Sequence, residues 1–212
     1  MAYFLTSSSR AGSLKVFSCS LEVCNKKFST TTLEAMTEKQ PYTVLKSYPE
    51  LELRDYPAGM QIETEVTGDF INAGSMGFRP LVNFISGNNK ARQAIAMTAP
   101  VIQESVTNSR HKVRFVMPEE MDESSTPSPA DSSVSVVSVP AHLAAARKFG
   151  GSWSKEKFEN EGIKLLEAVA KAGLVPEGNL YWSRFDPPWK PGFLKHNEVL
   201  IRVKKEGKTN GS

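Results

Sequence analysis

Two stretches of this chain carry the same signals in the same order, 140 − 57 = 83 residues apart. Pro57-Ala58 and Pro140-Ala141 each open an extended segment. At the same offset Gly68 answers Gly151, Asp69 answers Ser152 and Phe70 answers Trp153. The glycine turns the chain, the short polar residue caps free helix amides, and the aromatic pins the helix start to a sheet. A duplicated β-α-β-β unit explains this order better than chance does.

The patterning between these landmarks fits that unit. Tyr42-Thr43-Val44-Leu45 and Leu51-Glu52-Leu53-Arg54 read as short strands around a Tyr48-Pro49 turn. From Gly59 to Val66, Met60, Ile62, Thr64 and Val66 face one side and Gln61, Glu63 and Glu65 the other, as in a half-buried strand with solvated carboxylates. Asp69 caps a helix whose apolar face runs Phe70, Ala73, Gly77, Leu81 and Phe84, and Gly87-Asn88-Asn89 ends it. Strands at Ile95–Gln103 and His111–Met117 follow. Pro118 to Ser133, rich in serine and proline, is an exposed seam between the halves. The second half reads as strands at Val134–Val139 and His142–Phe149, then a helix from Trp153 to Lys171. That helix has Phe158, Ile163, Leu165, Leu166 and Val169 on its apolar face and closes at Gly173. Strands Asn179–Phe185 and Glu198–Lys204 complete it. The fold class is therefore α+β: duplicated β-α-β-β halves forming a twisted antiparallel sheet or distorted β-barrel, flanked by two helices.

Composition removes several functions. With 40% hydrophobic and 23% charged residues the chain can fold, and no apolar run reaches the roughly 18 residues of a spanning helix. A net charge of +3, without clustered basic residues or a known module, gives no nucleic-acid footprint. Both cysteines, Cys19 and Cys24, lie in the first 35 residues, so thiol catalysis and a disulfide frame are excluded from the domain. Residues 1–36 are serine-rich and basic with few acids. They read either as a transit peptide, which would direct the chain to mitochondria or plastids, or as an inert extension of a cytoplasmic protein that starts in effect at Met36. The domain spans 37–206, and 207–212 is a polar tail.

No catalytic motif is present: no G-x-S-x-G elbow, P-loop or dinucleotide fingerprint. The three histidines, His111, His142 and His196, lie in or beside different strands without ligand spacing, so no metal site is expected. Two segments are unusual. In Ala96-Met97-Thr98-Ala99-Pro100-Val101 the proline denies the ladder a donor, so the strand must end, bulge or lie at an edge. In Phe185-Asp186-Pro187-Pro188-Trp189-Lys190-Pro191-Gly192-Phe193, prolines stiffen a loop bearing two large aromatics and a lysine. Such a loop either packs on its own core or clasps a flat apolar ligand with an acidic edge.

Ile95-Ala96-Met97-Thr98-Ala99-Pro100-Val101, Phe84-Ile85-Ser86-Gly87-Asn88-Asn89 and Asp186-Pro187-Pro188 with Asn197-Glu198-Val199 together resemble the SOUL haem-binding protein family over about Tyr42 to Lys204. The resemblance implies a non-enzymatic, monomeric binder of haem or other tetrapyrroles, serving as carrier or buffer. It implies a groove between the first helix, at Ser75, Phe78, Arg79, Val82 and Asn83, and the late loop, at Trp189, Lys190 and Phe193. Lys190 would meet a propionate. Asp55 stands where one branch of the family has a proposed histidine ligand, so loose or reversible binding without that histidine is implied. Two rivals remain: a regulatory small-molecule-binding module, and a hydrolase of the wider two-repeat fold, which would need a groove carboxylate with a raised pKa opposite an aromatic.

Overall fold

The computed structural model describes residues 37–204; the readings of residues 1–36 and of the 207–212 tail lie outside the described residues. In chain order the strands of the first half are β1 (Glu38–Lys39), β2 (Thr43–Ser47), β3 (Glu52–Tyr56), β4 (Gly59–Thr67), β5 (Thr98–Ala99), β6 (Val101–Ser105) and β7 (Arg110–Val116), with helix α1 (Phe70–Ile85) between β4 and β5. The second half has β8 (Val134–Val139), β9 (His142–Gly150), helix α2 (Lys155–Lys171), β10 (Pro176–Arg184) and β11 (His196–Val203).

Nine strands form one antiparallel sheet in the order β2-β3-β9-β11-β10-β6-β7-β4-β8; β1 and β5 form a separate parallel pair. The sheet keeps β2 and β8 as edges, so the open-sheet alternative holds and the barrel does not. Leaving out β2, the order reads the same from either end once each strand is replaced by its duplicate. Each half lends its leading strand to the other: β3 pairs with β9, and β8 with β4. The registers agree to the residue. Leu53 pairs with Ala145 and Val136 with Ile62, and 136 − 53 and 145 − 62 are both 83.

The helices lie on one face, because alternation within the strands sends the large apolar residues there. Ile62, Val113 and Phe115 pack under Leu81 and Phe84 of α1. Ala145, Trp182, Val199 and Ile201 pack under Phe158, Leu165 and Val169 of α2. The two cores meet where the ring of Phe70 lies 5.4 Å from Phe158 and 4.9 Å from Trp182. After α1, the Asn89 side chain donates to Phe84 O and Gln93 O and accepts from Gln93 N, closing the turn after Gly87.

Several expectations need correction. Ser152 is not the counterpart cap: Ser154 accepts from Lys157 N, and α2 starts at Lys155 rather than Trp153. The helices are therefore offset by 155 − 70 = 85, the two extra residues letting Trp153 turn inward to Asn197. Ile163 and Leu166 are exposed; Glu161, Gly162, Leu165 and Ala168 hold the inner face, where a Cβ at Gly162 would lie 2.9 Å from Leu180 Cδ1 and would push that side chain aside. The Ile95–Gln103 strand breaks at the cis Ala99–Pro100 bond into β5 and β6. Gln61 is buried with its neighbours on both faces, and Glu63 is not solvated but paired with Lys112 and Arg114.

Candidate functional site

The residues singled out in the sequence fall into two groups. Ser75, Arg79 and Asn83 are exposed on the outer surface of α1, with Phe78 partly exposed and Val82 half-buried beside them. Phe78 closes edge-on over Phe115 at 5.2 Å. Trp189 and Phe193 belong to the loop 185–195 between β10 and β11, and are 84% and 83% exposed. Those values are far above what large rings show when packed on their own core, so that alternative does not apply to them.

The loop is stiff for electrostatic reasons as well as for its prolines. Asp186 accepts from Lys190 Nζ and from the backbone N–H of His196 at 2.5 Å, tying both ends together. Burial works against the Asp186 charge, but these donors outweigh it and hold the carboxyl below its usual range. Lys190 is thus neutralised inside the loop rather than free. Among the described residues no hydrogen bond, ion pair or ring contact joins the α1 group to Trp189, Lys190 or Phe193.

What lies between the two groups was not anticipated. Trp153 donates through Nε1 to Asn197 Oδ1 at 2.8 Å. The ammonium of Lys195 lies 4.0 Å from its ring and donates to Pro188 O. Arg184, the last residue of β10, is buried among rings with its guanidinium 4.8 Å from Trp153. Burial pushes its pKa down to about 10. An arginine ending a strand just before an aromatic loop is the one signal the sequence offered for it.

The helix-free face carries a second constellation. Arg54 is fully buried and makes a bidentate pair with Glu198, at 2.7 and 3.0 Å. It also bonds Tyr56 Oη and Glu52, and lies 4.1 Å from the ring of Tyr42. Burial alone would raise the Glu198 pKa, but hydrogen bonds from His196 and Arg54 and their charges bring it down to about 2. A cavity of about 230 Å³ opens beside the pair, lined by Tyr42, Tyr56, Lys148, Phe185, His196 and Glu198. The three histidines are all engaged: His111 with Ser105 and Gly68 O, His142 with Pro140 O and stacked on Tyr56, His196 with Glu198 and stacked on Phe185. Asp55 is on β3 beside His142, on the wall of a different cavity.

The model of the SOUL heme-binding protein family matches residues 37–202, so the chain belongs to that family. Its curated relatives include heme-binding protein 2 of Homo sapiens, 26% identical over 163 residues that cover 73% of this chain and 78% of that protein. Among solved structures, the C-terminal domain of EcmrR superposes with a TM-score of 0.52 at 15% identity, over 77% of this chain and 98% of that one. A hydrolase from Listeria innocua superposes with a TM-score of 0.52 at 11% identity, over 76% and 94%. These last two likenesses concern the fold alone.

Proposed function

We propose that the chain binds haem or a related tetrapyrrole reversibly in the groove between the outer side of α1 and the loop 185–195, and serves as a non-enzymatic carrier or buffer. The observation that carries this reading is the exposure of Trp189 and Phe193, two large rings held together in water on one stiffened loop, as interaction surfaces are. Family membership supplies the ligand class. A porphyrin presents a broad apolar plane and two carboxylates. Phe78, Val82, Trp189 and Phe193 offer the surfaces that would cover the plane, and Arg79 and Lys190 are candidate partners of the carboxylates, Lys190 only after exchanging Asp186. Haem would bring its own iron and conjugated ring; the protein's part is to cover the ring, exclude water and hold the acidic edge. With each histidine already bonded, binding through the plane rather than through the iron is the simpler reading, so iron-free porphyrin should bind nearly as well.

The hydrolase reading asks for a carboxylic acid with a raised pKa. Glu198 meets the burial condition but is held ionised by Arg54, which favours binding over acid–base chemistry. The test is an absorbance titration of the purified chain with haem and with iron-free protoporphyrin. A Soret shift that saturates at micromolar ligand, and weakens when Trp189 and Phe193 are both changed to serine, supports the reading. No spectral change, or a change indifferent to that double variant, overturns it.

A further inference from the structure

The floor of the proposed groove holds a charge with nothing to balance it. One row of paired residues crosses six strands on the helix-covered face: Ile62, Phe115, Val101, Arg184, Asn197 and Phe149. Phe78 of α1 covers Phe115, and Trp153, on the way into α2, covers Asn197. Val101 and Arg184 are the stretch between those covers. The guanidinium lies against α1 where the helix has no side chain: a Cβ at Gly74 would come within 2.0 Å of Arg184 Nη1. Besides Trp153, the rings of Phe158 and Phe70 lie 5.4 and 5.6 Å from it.

Arg184 is 6% exposed, and its Nε and Nη2 have no hydrogen-bond partner. Among the described residues no carboxylate pairs with it. These two atoms form one edge of the guanidinium, the edge that grips a carboxylate with two parallel bonds. On the Gly74 side of the guanidinium, Gln103 Oε1 is also unbonded, and a Cβ at Gly74 would lie 3.0 Å from it. Rings offset part of the cost of a buried cation, but not the loss of its hydrogen bonds. The opposite face of the sheet shows how this chain buries an arginine for structure, with every donor used. Lys195 adds a second positive charge with only a carbonyl for a partner, whereas Lys190 is already spoken for by Asp186.

We propose that Arg184 is the anion anchor of this groove, its unpartnered Nε–Nη2 edge receiving a carboxylate of the bound ligand. This deepens the groove reading and rests on it for the groove's location, but not for the identity of the ligand. Since that edge is covered, entry must displace a ring. Trp153, half-buried and held by one side-chain bond to Asn197, is the movable cover.

The experiment compares wild type with R184M on two pairs of ligands: protoporphyrin and its dimethyl ester, and pyrene carboxylate and pyrene methanol, which are planar but outside the tetrapyrrole class. Binding is followed by ligand absorbance and tryptophan quenching. Wild type is expected to hold each acid about ten-fold or more tighter than its neutral partner, the weight of one charge-assisted bond. R184M should lose that preference while binding the neutral ligands as before, and the ligand-free variant should melt no lower than wild type. Should the methionine variant fail to fold, R184Q gives the same decision. Preference for pyrene carboxylate that depends on Arg184, with neither porphyrin bound, keeps the anchor and removes the tetrapyrrole. Equal affinity of wild type for acid and neutral forms, no binding of any of the four, or a preference that survives in R184M overturns the anchor.

Discussion

Arg54 and Arg184 are both buried in the same sheet, and they live under opposite electrostatic conditions. On the helix-free face Arg54 has a bidentate carboxylate, a phenol and a second glutamate, and these raise its pKa against the pull of burial. On the helix-covered face Arg184 has rings on several sides and no bonded acceptor on its Nε–Nη2 edge, and burial lowers its pKa. Burial alone says little about what a charged residue is for; its partners say more. One arginine is locked into the fold, and the other is left to be completed. Neither belongs to the duplicated scaffold: the counterpart of Arg54 is Val137, at 137 − 54 = 83. The same divergence appears in a matching cross-strand pair. Glu65 pairs with Lys112 in the first half, whereas Lys148, its counterpart at 148 − 65 = 83, pairs with Glu198 in the second, the signs exchanged. Duplication has kept strand order and register while the charges were rewritten.

The largest test of the comparison removes each arginine in turn. Arg54→Met leaves Glu198 ionised and buried without its partner, which should lower the unfolding free energy by about 3–5 kcal/mol. Arg184→Met, in the same urea denaturation series, should cost nothing or add stability, because there the charge removed had no partner. Similar losses for the two variants would break the distinction between a structural and a receptive arginine.

Acid sharpens it next. The Glu198 pKa is depressed from 4.5 to about 2, so its ionised form stabilises the fold fully above the unfolded value and progressively less as pH falls from about 4.5 towards 2. A shift of that size corresponds to about 3 kcal/mol. Unfolding free energy measured by urea across that window should fall for the wild type. The Arg54→Met/Glu198→Leu double variant, which replaces the pair with apolar groups, should follow a flatter profile. An unchanged acid limb in the double variant would mean that Glu198 carries none of it.

Much of this fold could be read from periodicity, because alternation in β4 and the three-to-four spacing in α1 report directly which side faces the helices or the sheet. Glu63 and Gln61 were misread for a physical reason: in a sheet whose helix-free face is also packed or ion-paired, polar residues on that side are not solvent residues. The loop itself was legible as unusual, since prolines and tryptophan in one short segment need an explanation, but whether its rings pack inward or face water is decided by its fold and not by its composition. Arg54–Glu198 was not legible, as 144 residues separate the partners and only the exchange of β3 into the other half brings them together. Arg184 escaped for a related reason. Its distinction lies in missing partners, and a sequence does not display those.

The smallest effect concerns where the two halves stop matching. A strict 83-residue repeat assigns the cap of α2 to Ser152, yet the hydroxyl that accepts an amide is that of Ser154, from Lys157 N at 3.3 Å. Asp69, the counterpart in the first half, accepts from two amides at 3.1 and 3.0 Å and draws extra stability from its charge beside the helix start. Ser154→Ala should therefore cost roughly 1 kcal/mol or less, Asp69→Ala somewhat more, and Ser152→Ala only a few tenths. Thermal denaturation of the three single variants orders them. If Ser152→Ala proved costlier than Ser154→Ala, the two-residue shift would be wrong, and with it the account of why Trp153 turns inward over the end of the sheet that carries Arg184.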